Sequence, residues 1–142
     1  FFERLENLHA SRVRVLSIDD SERNRRVIRA MLKHTSCELL EAGDAKGGIR
    51  EAHLNLPDVI LMDIQMPEMD GLAATAVLKA DEKTSSIPII AVTAHAMRGD
   101  SERALAAGCV AFVSKPISRA KLEEAIDLAL GGPHWREAAE SA

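Results

Sequence analysis

Two stretches of this sequence, Val59-Ile-Leu-Met62 and Ile89-Ile-Ala-Val92, are apolar without a break. A strand with one wet face alternates apolar and polar side chains, so an unbroken run implies burial on both faces. Strands buried on both faces belong to parallel sheets sandwiched between helices. Parallel neighbours cannot be joined by a tight turn; each pair needs a right-handed crossover, usually through a helix. The remainder of the chain therefore has to supply helices between short strands.

It does so in regular alternation. Val13–Ile18 is a strand candidate, and Ser21–His34 carries Val27, Ile28, Met31 and Leu32 at helical spacing. Cys37–Ala42 reads as a more polar strand, suited to a sheet edge, and Asp44–Leu56 as a helix stopped by Pro57. Val59–Met62 leads through a loop, Ile64–Asp70, into a helix over Leu72–Lys79. Pro88–Thr93 is the fourth strand, Asp100–Ala107 a short helix closed by Gly108, and Val110–Val113 the fifth strand. Ser118–Leu130 is the last helix, ended by Gly131-Gly132. The pattern predicts an α/β domain, a doubly wound five-stranded parallel sheet flanked by five helices, over residues 12–130. Residues 1–11 read as an N-terminal extension or linker helix and residues 131–142 as a C-terminal tail, exposed over residues 133–142. The start at Phe1-Phe2 rather than Met suggests trimming or excision from a longer chain.

Composition narrows the function. The 142 residues are 46% apolar and 28% charged, enough for a packed core, and the formal net charge is −4. A mildly acidic chain is a poor nucleic-acid or anionic-membrane binder unless its basic residues cluster, and no run reaches the length of a membrane span. Two cysteines, Cys37 and Cys109, make neither a disulfide framework nor a four-ligand zinc site. They read as free thiols in a reducing cytoplasm. Five scattered histidines show no helical metal-site spacing.

In doubly wound sheets, ligands bind at the carboxyl ends of the strands. Those ends carry Asp19 and Asp20 after the first strand, Asp63 after the third, Thr93 after the fourth, and Ser114, Lys115 and Pro116 after the fifth. Taken singly, each has a plain reading: an Asp as helix cap or turn residue, a Thr as β-branched filler, a Lys as a solvated side chain. Together they bring three carboxylates, a hydroxyl and an ammonium to one rim. Clustered carboxylates repel unless a cation is present, and oxygen donors with room for water suit Mg²⁺. A cation beside a carboxylate, with Lys and hydroxyl donors, is the equipment for handling a phosphoryl group; Asp63 is the candidate nucleophile.

These residues stand in a recognisable set. Asp19-Asp20 is followed by Asn24. Val59-Ile-Leu-Met-Asp63-Ile-Gln-Met-Pro67 runs on to Met69-Asp70-Gly71, and then come Ala91-Val-Thr93-Ala and Phe112-Val-Ser-Lys115-Pro116. With their separations, they resemble the receiver (response regulator) domains of two-component phosphorelay signalling, above all single-domain regulators of the DivK kind and receiver modules of hybrid histidine kinases. The resemblance implies a flavodoxin-like fold with strand order 2-1-3-4-5. It implies that Asp63 accepts a phosphoryl group from a phosphohistidine on a histidine kinase or phosphotransfer domain. Mg²⁺ would be held by Asp20, Asp63 and the backbone carbonyl of Gln65, with Asp19 acting through water. Lys115 would pair with Asp63 and then the phosphoryl oxygens, Thr93 would donate to one of them, and Phe112 would turn inward as the switch aromatic. A cis Lys115–Pro116 bond, and a loop shaped by Pro67 and Gly71, are further implications. Gln65 and His95 fall at positions that tune the acyl phosphate's lifetime, though a solvated loop histidine is the plainer reading of His95. Cys37 and Cys109 would begin strands on opposite edges, which forbids a disulfide between them.

The output surface would be the face of residues 100–107, 110–113 and 118–130, engaging a downstream protein. Twelve residues follow Leu130, too few for a helix-turn-helix module, so no direct nucleic-acid binding and no membrane insertion are expected. The chain would be a signalling module that catalyses only its own phosphorylation and dephosphorylation. Three alternatives fare worse. An aspartyl-nucleophile phosphohydrolase needs an acid where Gln65 stands. A pseudo-receiver would lack an acid or the lysine. A nucleotide- or flavin-binding domain would carry a glycine-rich loop where Asp19-Asp-Ser-Glu22 stands.

Overall fold

The computed structural model describes residues 12–94, 99–133 and 135. The expectations for residues 1–11, for His95 and for the end of the chain beyond Trp135 lie outside the described residues.

Ten elements alternate: β1 (Arg14–Ile18), α1 (Glu22–Leu32), β2 (Glu38–Ala42), α2 (Ala45–Asn55), β3 (Val59–Asp63), α3 (Gly71–Ala80), β4 (Ile89–Thr93), α4 (Asp100–Ala107), β5 (Ala111–Ser114) and α5 (Arg119–Leu130). The five strands form one parallel sheet in the order β2-β1-β3-β4-β5. Every strand and helix expected over residues 12–130 is present, with ends displaced by no more than two residues. The helix starts were legible because Ser21, Asp44, Asp70 and Ser118 each accept a bond from a backbone N–H of the first turn.

β3 and β4 are buried along their whole length, as their unbroken apolar runs require. Alternate residues feed two cores. Leu16, Ile18, Ile60, Met62, Ile89 and Ala91 pack with α2, α3 and α4. Val15, Val59, Leu61, Ile90, Val92 and Val113 pack with α1 and α5. No helix among the described residues is long and apolar enough to cross a membrane. Cys37 and Cys109 are free thiols on opposite edges, and burial pushes both above the usual thiol range.

One expectation needs correction. Trp135 belongs to no exposed tail: it is 1% exposed within the α1/α5 core. Its Nε1 donates to Asp127 Oδ1 at 2.7 Å, and Ser36 Oγ donates to its carbonyl. An indole brings enough apolar surface to fold a polar stretch back onto the domain, provided its N–H finds an acceptor. The packed unit therefore reaches at least residue 135.

Candidate functional site

Because all five strands run parallel, their carboxyl ends lie on one rim. Asp19 leaves β1 with its N–H bonded to the Ala42 carbonyl at 3.1 Å, and its Oδ1 accepts from Ser21 N at 2.8 Å. Asp20 follows on the three-residue connection into α1 and is exposed. Asp63 ends β3, 1% exposed, with its Oδ1 accepting from Gln65 N at 3.1 Å. One oxygen from each of Asp19, Asp20 and Asp63 lies within 4.8 Å of the others. Lys115, beyond β5 and before a cis peptide to Pro116, reaches back over them. Its Nζ stands 3.4 Å from Asp63 Oδ1 and 3.6 Å from Asp19 Oδ2.

The loop beneath Asp63 depends on Gly71. A Cβ there would stand 2.2 Å from the Asp63 carbonyl oxygen, so only glycine lets α3 start directly against the end of β3. Gly71 N donates to the Ile64 carbonyl at 3.0 Å, and buried Ile64 and Met66 anchor the loop in the core. The Gln65 side chain spans to the next strand end, its Oε1 accepting from Ala94 N at 3.2 Å.

The electrostatics are those of an under-neutralised site. Asp63 is pushed up to about 6, first by burial and then by the charge of Asp19. The Gln65 N–H and the Lys115 ammonium pull it back only in part. One lysine cannot balance three carboxylates, and the oxygen-only donor set, exposed on the Asp20 side, fits a hard divalent cation that keeps some of its water.

Thr93 closes the rim on the β4 side and is fully buried, but its hydroxyl is engaged away from the acids: Oγ1 donates to Asp100 Oδ2 at 3.2 Å. Asp100 opens α4, is 8% exposed and pairs with Arg103. Sequence reasoning missed Asp100; the available signal was an acid in the first turn of the helix that follows a strand-end hydroxyl. Phe112 is 41% exposed on β5 and lines an apolar groove with Leu105, Val110 and Leu128. The structure thus brings Asp19, Asp20, Asp63 and Lys115 together, places Thr93 at the same rim but turned to α4, and leaves Phe112 at the sheet edge.

This arrangement has close counterparts. The response regulator receiver domain family matches residues 15–127. The polar-differentiation response regulator DivK of Brucella ovis is 42% identical over 117 residues, covering 82% of this chain and 95% of that protein. The receiver domain of the sensor histidine kinase PA1611 of Pseudomonas aeruginosa superimposes with a TM-score of 0.78 at 35% identity, covering 85% of this chain and 99% of that one. That domain has a magnesium ion coordinated in its active site cleft. The signal receiver domain of a Syntrophus aciditrophicus histidine kinase is similar at a TM-score of 0.75 and 28% identity, covering 84% and 90%. With a family match across most of its length and relatives of this identity, the chain belongs to the response regulator receiver domains of two-component signalling.

Proposed function

We propose that this receiver is switched by phosphorylation of Asp63 and that the reaction depends on Mg²⁺. The observation that carries the reading is the nearly inaccessible Asp63 carboxylate, close to two further carboxylates and 3.4 Å from the Lys115 ammonium. Asp20, Asp63 and the Gln65 carbonyl would hold the ion, with Asp19 acting through water; bound there, Mg²⁺ supplies positive charge for the phosphoryl oxygens. Asp63 Oδ attacks the phosphorus of a phosphohistidine on a kinase or phosphotransfer domain. An O–P bond forms, the N–P bond breaks, and the imidazole nitrogen leaves with the electron pair and takes up a proton.

The added group brings roughly −1.5 to −2 charge and strong acceptors. Lys115 transfers its contact from Asp63 to the phosphoryl oxygens. Thr93 exchanges Asp100 for the same acceptors, which alters the start of α4, and Phe112 turns into the space left behind. The face of α4, β5 and α5 then presents a different surface to a downstream protein. The switched unit is residues 12–130 together with the segment to Trp135, with residues 1–11 as a leading extension. The free thiols fit a reducing cytoplasm.

Intact mass after treatment with a small-molecule phosphodonor and Mg²⁺ tests this. One phosphoryl group is expected on the wild type, none with EDTA, and none on Asp63→Ala. An unmodified wild type with its fold intact overturns the reading. Lys115→Ala is expected to accept phosphate while losing the phosphorylation-dependent change in amide chemical shifts of α4 and β5. A normal change in that variant removes Lys115 from the coupling.

A further inference from the structure

The acid pair sits on a turn of three residues, Asp19 to Ser21, between β1 and α1. The Asp19 carboxylate is fixed directly, by the Ser21 N–H and the Lys115 ammonium. Asp20 is different: it is exposed, and its carboxylate makes no hydrogen bond or ion pair with any described residue. What aims it is its backbone. The peptide joining Asp19 to Asp20 has its carbonyl oxygen held by Arg25 Nη1 at 2.6 Å.

That guanidinium is itself fixed on two other sides. Nε donates to Glu41 Oε1 on β2 at 3.2 Å, and Nη2 donates to Glu22 Oε2 on α1 at 2.6 Å. Arg29 braces Glu41 from the other side at 2.8 Å. A rigid planar fork is thus locked between a strand and a helix, with one prong on the peptide that sets the direction of Asp20. Lysine, a single point donor on a flexible stem, could satisfy either glutamate but not all three acceptors together.

We propose that Arg25 is a positioning residue for the divalent-cation site, fixing the Asp19–Asp20 peptide plane and so the aim of the Asp20 carboxylate. The inference rests on reading the acidic cluster as a Mg²⁺ site. Its sign separates it from a plain charge effect. Removing a cation near three carboxylates should strengthen Mg²⁺ binding by Coulomb attraction alone. Removing an outer partner that orients a ligand weakens metal binding, typically by 10- to 100-fold.

The test is a calorimetric Mg²⁺ titration of the full chain, with thermal melting in EDTA recorded alongside. Arg25→Met should weaken Mg²⁺ about tenfold. Arg25→Lys, which keeps the charge and loses the fork, should also weaken it, and it serves if the methionine variant does not fold. Glu22→Gln, which leaves the carbonyl contact in place, should stay within about twofold of wild type. Folded Arg25 variants that bind Mg²⁺ as tightly as wild type, or more tightly, overturn the inference while the metal reading stands. A wild type that binds no Mg²⁺ overturns both.

Discussion

The two ends of the sheet are built from opposite materials. At the amino end, Val13, Leu32 and Val59 share one apolar cluster with Trp135, whose indole N–H and carbonyl are matched by Asp127 and Ser36. At the carboxyl end, three carboxylates, a threonine and a lysine crowd one rim, and Asp63 sits where burial and Asp19 oppose its charge. The first end contributes stability. The second gives some up, because three carboxylates beside one lysine leave the pocket short of positive charge. If that division is right, substitutions at the two ends should move stability and cation binding independently and in opposite directions.

The largest effect should come from the amino end. Trp135→Ala deletes a fully buried indole and is expected to lose about 3–5 kcal/mol of unfolding free energy. Urea denaturation followed by circular dichroism measures it, since the variant lacks the chain's one tryptophan. Mg²⁺ affinity of the folded variant should stay within about twofold of wild type, because additivity holds for distant sites. A parallel collapse of Mg²⁺ binding would show that the ends are not separable.

The next effect has the opposite sign. Asp63 titrates near its ordinary 3.8 in the unfolded chain and at about 6 in the folded one. Between those values the folded chain binds more protons than the unfolded chain, so stability falls as pH rises through the window. Above it the cost levels off at about 2–3 kcal/mol. In EDTA at pH 7, Asp63→Asn should therefore be more stable than wild type by about that amount, with the gain shrinking toward pH 4. Saturating Mg²⁺ should raise wild type toward the variant. A variant less stable than wild type at pH 7 would mean that the Lys115 contact outweighs burial, and the carboxyl end would lose its character as the costly one.

The contrast also explains what could be read in advance. The buried strands were legible because Val59–Met62 and Ile89–Val92 have no polar residue to turn outward, and the rim was legible because strand ends in this topology must converge. Asp19, Asp20, Asp63, Thr93 and Lys115 followed from that convergence. Three things did not. Trp135 is a lone aromatic in a polar stretch, and no periodicity marks a single anchor. Arg25 acts on a backbone carbonyl, which every residue has, so its contact leaves no pattern in side-chain identity. The engagement of Thr93 by Asp100 joins the end of β4 to the start of α4 seven residues on, a separation at which spacing predicts no contact.

The smallest effect comes from Ser17, which locates the border between the two ends. It lies two residues before Asp19 on β1, opposite Leu61 on β3 and Glu41 on β2. Its hydroxyl is buried with no hydrogen-bond partner among the described residues. A buried polar group left unpaired costs about 1–3 kcal/mol, while an alanine there gives up only the contacts of one oxygen. Ser17→Ala should therefore gain about 0.5–1 kcal/mol in urea denaturation. A loss of stability instead would show that the hydroxyl is paired in solution through a bound water. Mg²⁺ affinity then decides to which end the residue belongs. If it is unchanged, the reach of the acidic rim stops at Asp19 and the core begins one side chain below it on that face. If it falls, the rim extends down β1, and a hydroxyl that looks like a packing fault is part of what orients the Asp19 carboxylate.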